Sequence, residues 1–294
     1  MRWEGNRQSD NVEDRRSGSG GGGGGGFGFG GKSIGIGTIV IALIAWGVFG
    51  INPLTTIGVL GGGGQPAQVQ QQGPAQKPPA GDTKAAFVST VLASTEDAWA
   101  QVFRDGGAQY RAPRLVLYRG VTPTACGTGQ AAMGPFYCPG DQKVYLDMNF
   151  FDTLSRQLGA PGDFAQAYVI AHEVAHHVQT LLGITQKVDA MRGRTSQSQQ
   201  NALSVRVELQ ADCFAGIWAN KSQQAKNWLE QGDIESAMNA AARIGDDAIQ
   251  RQQTGTVRPD SFTHGSSAQR QRWFTTGLKT GNVQACDTFN TQAL

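Results

Sequence analysis

Charge of either sign is scarce and nearly balanced: 25 Lys and Arg against 23 Asp and Glu leave a formal net charge of +2. That excludes a nucleic-acid surface built on bulk electrostatics. Cysteine is limited to Cys126, Cys138, Cys213 and Cys286, and no two of them stand as C-x-x-C, which removes a zinc ribbon. Four cysteines are an even number, as disulfides in an oxidising compartment require, and they allow three pairings. Histidine is equally rare, with four in 294 residues. A metal or acid–base site therefore has few positions to draw on.

Glycine is the residue in excess, 41 in all, concentrated before residue 65. Residues 1–33 are polar and then glycine-dense, a composition with too little apolar surface to fold, and are expected as a disordered head. Residues 34–51, IGIGTIVIALIAWGVFGI, carry no charge and match the length needed to cross a bilayer; the apolar character resumes to Leu60. Residues 34–60 are therefore expected as one transmembrane segment in contact with lipid. Arg15, Arg16 and Lys32 precede it, and the near downstream side has no cation. The positive-inside tendency then leaves the N-terminus cytoplasmic and the C-terminal part periplasmic or extracellular. Residues 61–82 are a Gly/Gln/Pro linker, and residues 83–294 the folded domain.

Gly26-Phe-Gly-Phe-Gly-Gly31-Lys32-Ser33 fits the P-loop pattern. Polyglycine precedes it and an apolar run follows, where phosphate binding would need a strand and a helix. It is a decoy.

Within the domain, Thr83 to Phe103 reads as a helix, with strands at Leu115-Val-Leu-Tyr-Arg119 and Lys143-Val-Tyr-Leu-Asp-Met148. A Gly/Pro-rich loop joins Cys126 to Cys138. Helical patterns follow at about 162–182, 198–219, 223–231, 233–253 and 266–279. Few strands followed by many helices make an α+β domain.

Three of the four histidines fall in Ala171-His172-Glu173-Val-Ala-His176-His177. His-Glu-x-x-His on a helix sets two imidazoles one turn apart on nearly one face, where both can reach a Zn²⁺. Phe164, Tyr168, Ala171, Ala175, Val178 and Leu182 fall within roughly 40° of one line on the helical wheel and form its core stripe. His172 and His176 stand at the edge of that stripe, as cleft-facing ligands should. His177 points roughly 100° away from His176 and cannot share the metal; it is expected as a solvated or outer side chain. A catalytic zinc takes three protein ligands. Glu208 on a later helix can complete the set, and Asp212, one turn on, can accept the spare N–H of a ligating histidine. Ala211, Ala215 and Gly216 would let that helix approach closely. Glu173 is left as the general base, and His264, the remaining histidine, as a donor to a developing oxyanion.

These residues resemble the HExxH zinc peptidases of the gluzincin type, in which a downstream Glu is the third ligand and an Asp four residues later supports a ligand histidine. The resemblance extends to the bacterial neutral zinc metallopeptidase family through Cys126…Gly134-Pro-Phe-Tyr-Cys138-Pro, Lys143-Val-Tyr-Leu-Asp147 and Thr263-His264-Gly-Ser-Ser. It covers residues 83–294 and not the head or linker. It implies a zincin-like domain, mostly helical with a small sheet, behind a single membrane span, hydrolysing peptide bonds in a peptide or protein substrate. By the same analogy the strand at Val144 to Met148 is a candidate edge for an extended substrate, with packing in the core as the equal alternative. The cysteines are read as Cys126–Cys138 closing a short loop and Cys213–Cys286 tying down the C-terminus, one of the three pairings. Two other readings stay open: a zinc hydrolase of non-peptide bonds, and a non-catalytic zinc-containing binding module tethered to the membrane.

Overall fold

Two strands with almost every residue buried form the centre of the sheet. They are β2 (Arg114–Tyr118) and β6 (Lys143–Asp147). They run parallel, with Leu115 opposite Val144 and Leu117 opposite Leu146. Burial on both faces is what parallel pairing demands. Leu115, Leu117, Val144 and Leu146 enter the main core. Val116, Tyr118 and Tyr145 alternate to the other face, with Cys138 and Phe136. This computed structural model describes residues 1–16, 76–130, 134–191 and 194–294. The expected transmembrane segment, the linker up to residue 75 and the P-loop decoy lie outside the described residues. No helix among those described is long and apolar enough to cross a membrane.

The sheet has four strands in the order β1-β2-β6-β5. Strand β5 (Phe136–Cys138) is antiparallel to β6. A separate two-stranded ribbon, β3 (Val121–Thr124) and β4 (Gly127–Gln130), occupies part of the expected loop. Strand β6 is paired with β2 over its whole length and with β5 over Lys143–Tyr145, so of the two expected roles for this strand, substrate edge or core packing, it takes the second over that stretch.

The outer strand β1 (Val12–Asp14) comes from the head and runs parallel to β2, with Val12 opposite Leu115. Residues 1–16 are therefore part of the folded domain, contrary to the expected disorder. Their apolar content is low, but what there is finds the core: Val12 is buried, and Trp3 meets Phe87 edge-on at 5.4 Å. Ion pairs do the rest, Arg7 with Glu96 and Asp97, Lys143 with Glu13, and Arg16 with Asp82.

Helix α1 (Thr83–Asp105), capped by Asp82, lays Phe87, Val88, Val91, Leu92 and Trp99 into the core. Short α2 (Asn149–Arg156) follows the sheet and adds Phe151 and Leu154. Then come α3 (Asp163–Leu181), α4 (Ile184–Met191) and α5 (Gln197–Lys226), the last opened by a Ser196/Gln199 capping box. Asn227, in the left-handed conformation, ends α5, so in place of the separate helix expected at 223–231 residues 223–226 continue α5 and the next residues are irregular. The expected 233–253 helix is two, α6 (Asp233–Arg243) and α7 (Asp246–Thr254). The break is at Gly245, where a Cβ would lie 2.5 Å from the Ser267 nitrogen. Helix α8 (Ser267–Thr280), with its own capping box, closes the domain.

Helices α5 and α8 meet backbone to backbone. A Cβ on Gly277 would fall 1.8 Å from the Cys213 carbonyl oxygen, and one on Gly216 would fall 2.1 Å from that of Phe274. The close approach expected of Gly216 is thus made to α8. Disulfides join Cys126 to Cys138 and Cys213 to Cys286. Both pairs match the expected pairing.

Candidate metal centre

Helix α3 enters the core with Phe164, Tyr168, Ala171, Ala175 and Val178 of the expected stripe buried, while Leu182, at the C-cap just past the helix, is exposed. That burial fixes the rotation of the helix and points His172 and His176 at α5. There, Glu208 meets both. Its carboxylate lies 3.1 Å from His172 Nε2 and 3.6 Å from His176 Nε2. The three ligand atoms stand within 4.8 Å of one another.

Each imidazole is tied off at its far nitrogen. His172 Nδ1 donates to Asp212 Oδ1 at 2.9 Å, and His176 Nδ1 donates to Gln179 Oε1 at 2.9 Å. Both Nε2 atoms thereby face Glu208, and a proton held on Nδ1 is the tautomer that would free their lone pairs for a metal. Two imidazoles and a carboxylate, converging and oriented in this way, fit a zinc ion.

Asp212 is fully buried and would be costly as a lone charge. Arg270 of α8 compensates it with a two-pronged contact, Nε to Oδ2 at 2.8 Å and Nη2 to Oδ1 at 3.0 Å. Tyr168 donates its hydroxyl to the same carboxylate and accepts from Arg270 Nη2 at 3.2 Å. Burial alone would raise the pKa of Asp212, but Arg270 and then His172 outweigh it and hold it below the ordinary range. Glu208 is held well below its ordinary value, against burial, by His176, His172 and His264. Gln179 is anchored in turn, its amide donating to the Val207 carbonyl at 2.8 Å and to Gln210 at 3.1 Å.

Glu173 is 8% exposed, and none of the hydrogen bonds among the described residues claims its carboxylate. Burial raises its pKa, and the neighbouring charges of His176 and His172 only partly oppose this. A raised, unclaimed carboxylate beside two metal-ligand candidates is what general-base chemistry requires.

His264 lies in the turn between α7 and α8. Asp246 builds that turn by accepting the backbone N–H of Thr263, His264 and Gly265 on one oxygen. Its other oxygen meets His264 Nδ1 at 3.2 Å. Burial works against a charge on His264, yet Asp246 and Glu208 raise its pKa. His264 is thus within electrostatic reach of Glu208 but outside the three-residue cluster.

His177 is turned away from the metal side, as expected. It is buried, however, and not solvated. Its Nε2 donates to the Arg111 carbonyl at 2.7 Å, Tyr137 donates to its Nδ1 at 3.2 Å, and burial pushes its pKa down. Four partners were not anticipated from the sequence: Tyr168 beyond its place in the core stripe, Gln179, Asp246 and Arg270. Gln179 stands three residues after His176, within reach on one helix, so local spacing could have found it. Arg270 and Asp246 come from distant segments and leave no such signal.

A model of the family described as "Putative neutral zinc metallopeptidase" matches residues 1–289. The match takes in the head and linker, which the expected resemblance did not cover. "Uncharacterized protein YpfJ" of Escherichia coli is 52% identical over 292 residues, 98% of this chain and 99% of that one. An uncharacterized protein of Mycobacterium tuberculosis is 43% identical over 216 residues, 69% of this chain and 71% of the other. No solved structure matches. From its first strand to the last turn before its C-terminus, the chain belongs to the neutral zinc metallopeptidase family.

Proposed function

We propose that the protein is a zinc-dependent peptidase of the gluzincin type, with His172, His176 and Glu208 as metal ligands. The observation that carries this reading is the convergence of two correctly oriented Nε2 atoms and one carboxylate beside an unclaimed, buried Glu173. When bound, zinc supplies an acidified water and a polarised carbonyl. Glu173 takes the proton of the attacking water and hands it to the leaving amine. Asp212 keeps His172 in one tautomer and one orientation, and Gln179 does the same for His176. His264, held by Asp246, donates to the oxygen on which negative charge develops.

The two disulfides support a domain working outside the cytoplasm, where such bonds persist. The test is zinc content and hydrolysis of an unfolded protein substrate by the full chain beside Glu208→Ala. About one zinc per chain in the parent, with cleavage, and loss of both in the variant is the expected result. Full zinc in Glu208→Ala would remove Glu208 from the ligand set, and zinc without cleavage in the parent would oppose the peptidase reading.

A further inference from the structure

Residues 1–16 and the metal-bearing domain are joined in a way that constrains how the chain meets a membrane. The two described ends of the segment 17–75 lie side by side: Asp14 N–H donates to the Gln76 carbonyl at 2.7 Å, in an antiparallel bridge. Between those ends the sequence holds the apolar run 34–60. A single crossing would put the ends on opposite faces of the bilayer. The docked strand puts them on the same one.

The docking is built into the domain's core. Strand β2 is made as an interior strand, with Leu115 and Leu117 both fully buried. Its ladder on the outer side is satisfied by the head, through Leu115 N–H to the Asn11 carbonyl at 2.9 Å and Arg15 N–H to the Leu117 carbonyl at 2.8 Å. Removing β1 would expose that ladder as an open edge. On the helical side, Ser9 and Ser89 exchange two hydrogen bonds, Ser9 N–H to the Ser89 carbonyl and Ser89 Oγ to the Ser9 carbonyl. Arg7 also reaches the Ala93 carbonyl, while Trp3 donates to Asp163 at the first turn of the metal-binding helix. The head itself presents no obstacle to lying on either face, since its four arginines are matched by four carboxylates, Glu4, Asp10, Glu13 and Asp14.

We propose that residues 1–16 lie on the same side of the membrane as the metal centre, as a permanent strand of that domain, so that the apolar run does not serve as a single crossing between them. Two full crossings need about 40 apolar residues at about 20 each, and residues 34–60 number about 27. This placement departs from the opposite-sided arrangement expected from the flanking cations, whose signal comes partly from Arg15 and Arg16. In the fold those two are ion-paired with Glu13, Asp14 and Asp82.

The experiment is sidedness labelling of the full chain in spheroplasts with a membrane-impermeant maleimide. Glu4→Cys and Ala225→Cys replace exposed residues of the head and of the end of α5. All four native cysteines are in disulfides and give no background. The proposal expects both positions to show the same ratio of labelling before and after permeabilisation, within about twofold, whichever face that is. A tenfold or larger difference between them, one labelled in intact spheroplasts and the other only after permeabilisation, would overturn it. The outcome does not depend on zinc or activity.

Discussion

Two networks of carboxylates and cations organise the molecule, and they differ in how much water they see. At the metal centre Asp212 and Arg270 are 0% and 2% exposed, and every oxygen of the carboxylate is assigned. At the seam that fastens the head, Glu13 and Asp14 are buried, but the cations that reach across it keep contact with water, Arg7 half exposed and Lys143 a quarter. A buried pair is worth little as net attraction but is costly to break, whereas a surface pair is worth little either way. The first network therefore fixes orientation and tolerates no loss. The second fastens by number, and single losses are absorbed.

The largest expected effect touches chemistry without touching either network. Glu173→Gln keeps the size of the side chain and removes the base, so hydrolysis of an unfolded protein should fall by about 10² to 10⁴. Zinc content should stay near one per chain, which distinguishes loss of the base from loss of the site. Next in size is the direct contrast between the networks. Arg270→Met strands the Asp212 charge in the core and should cost about 3–5 kcal/mol in denaturant unfolding. Arg7→Met at the seam should cost about 0–1 kcal/mol. Equal costs would mean that the two networks do not differ as described.

A smaller effect is expected where the buried network meets the metal. Asp212→Asn removes the charge that orients His172 and should weaken zinc affinity about 10- to 100-fold in a chelator competition. The smallest concerns acid. Burial pushes Glu13 and Asp14 up, but the hydrogen bonds of Arg15 and Lys143 to Glu13, and of Arg16 to Asp14, hold both below their ordinary values. A carboxylate whose folded pKa is depressed contributes stability above its unfolded pKa, and loses it as pH falls through the folded one. The seam should thus be insensitive between pH 5 and pH 8 and loosen below about pH 4. Amide exchange at Leu115 and Arg15 should speed up there. Loosening near neutral pH instead would shift the fastening to groups other than these.

The His-Glu-x-x-His helix was legible because every cue was local. The stripe and the His-Glu-x-x-His spacing lie within one helix, expected at 162–182 and found at Asp163–Leu181. Glu208 and Asp212 were legible through their own four-residue spacing. Arg270 was not, since nothing in its neighbourhood distinguishes a buried arginine from a solvated one; only the crossing of α5 and α8 decides it. The head was misjudged for a related reason. In Asn11-Val-Glu-Asp-Arg15 a single apolar residue carries no period, and the strand exists because β2, a hundred residues away, leaves a ladder for it. The split at Gly245 was hidden too, because the glycine answers to Ser267 and not to its own helix.

The glycine-to-glycine crossing of α5 and α8 gives the candidate metal centre an unusual reference frame. Where side chains separate two helices, rotamer changes let them slide and tilt. Here the peptide groups themselves are in contact, so the register has no soft layer to absorb a shift. One helical turn of slippage is about 5.4 Å, enough to part Arg270 from Asp212 and release His172. The aim of His172 is thus set largely by main-chain dimensions, through the fixed register of Arg270 against Asp212.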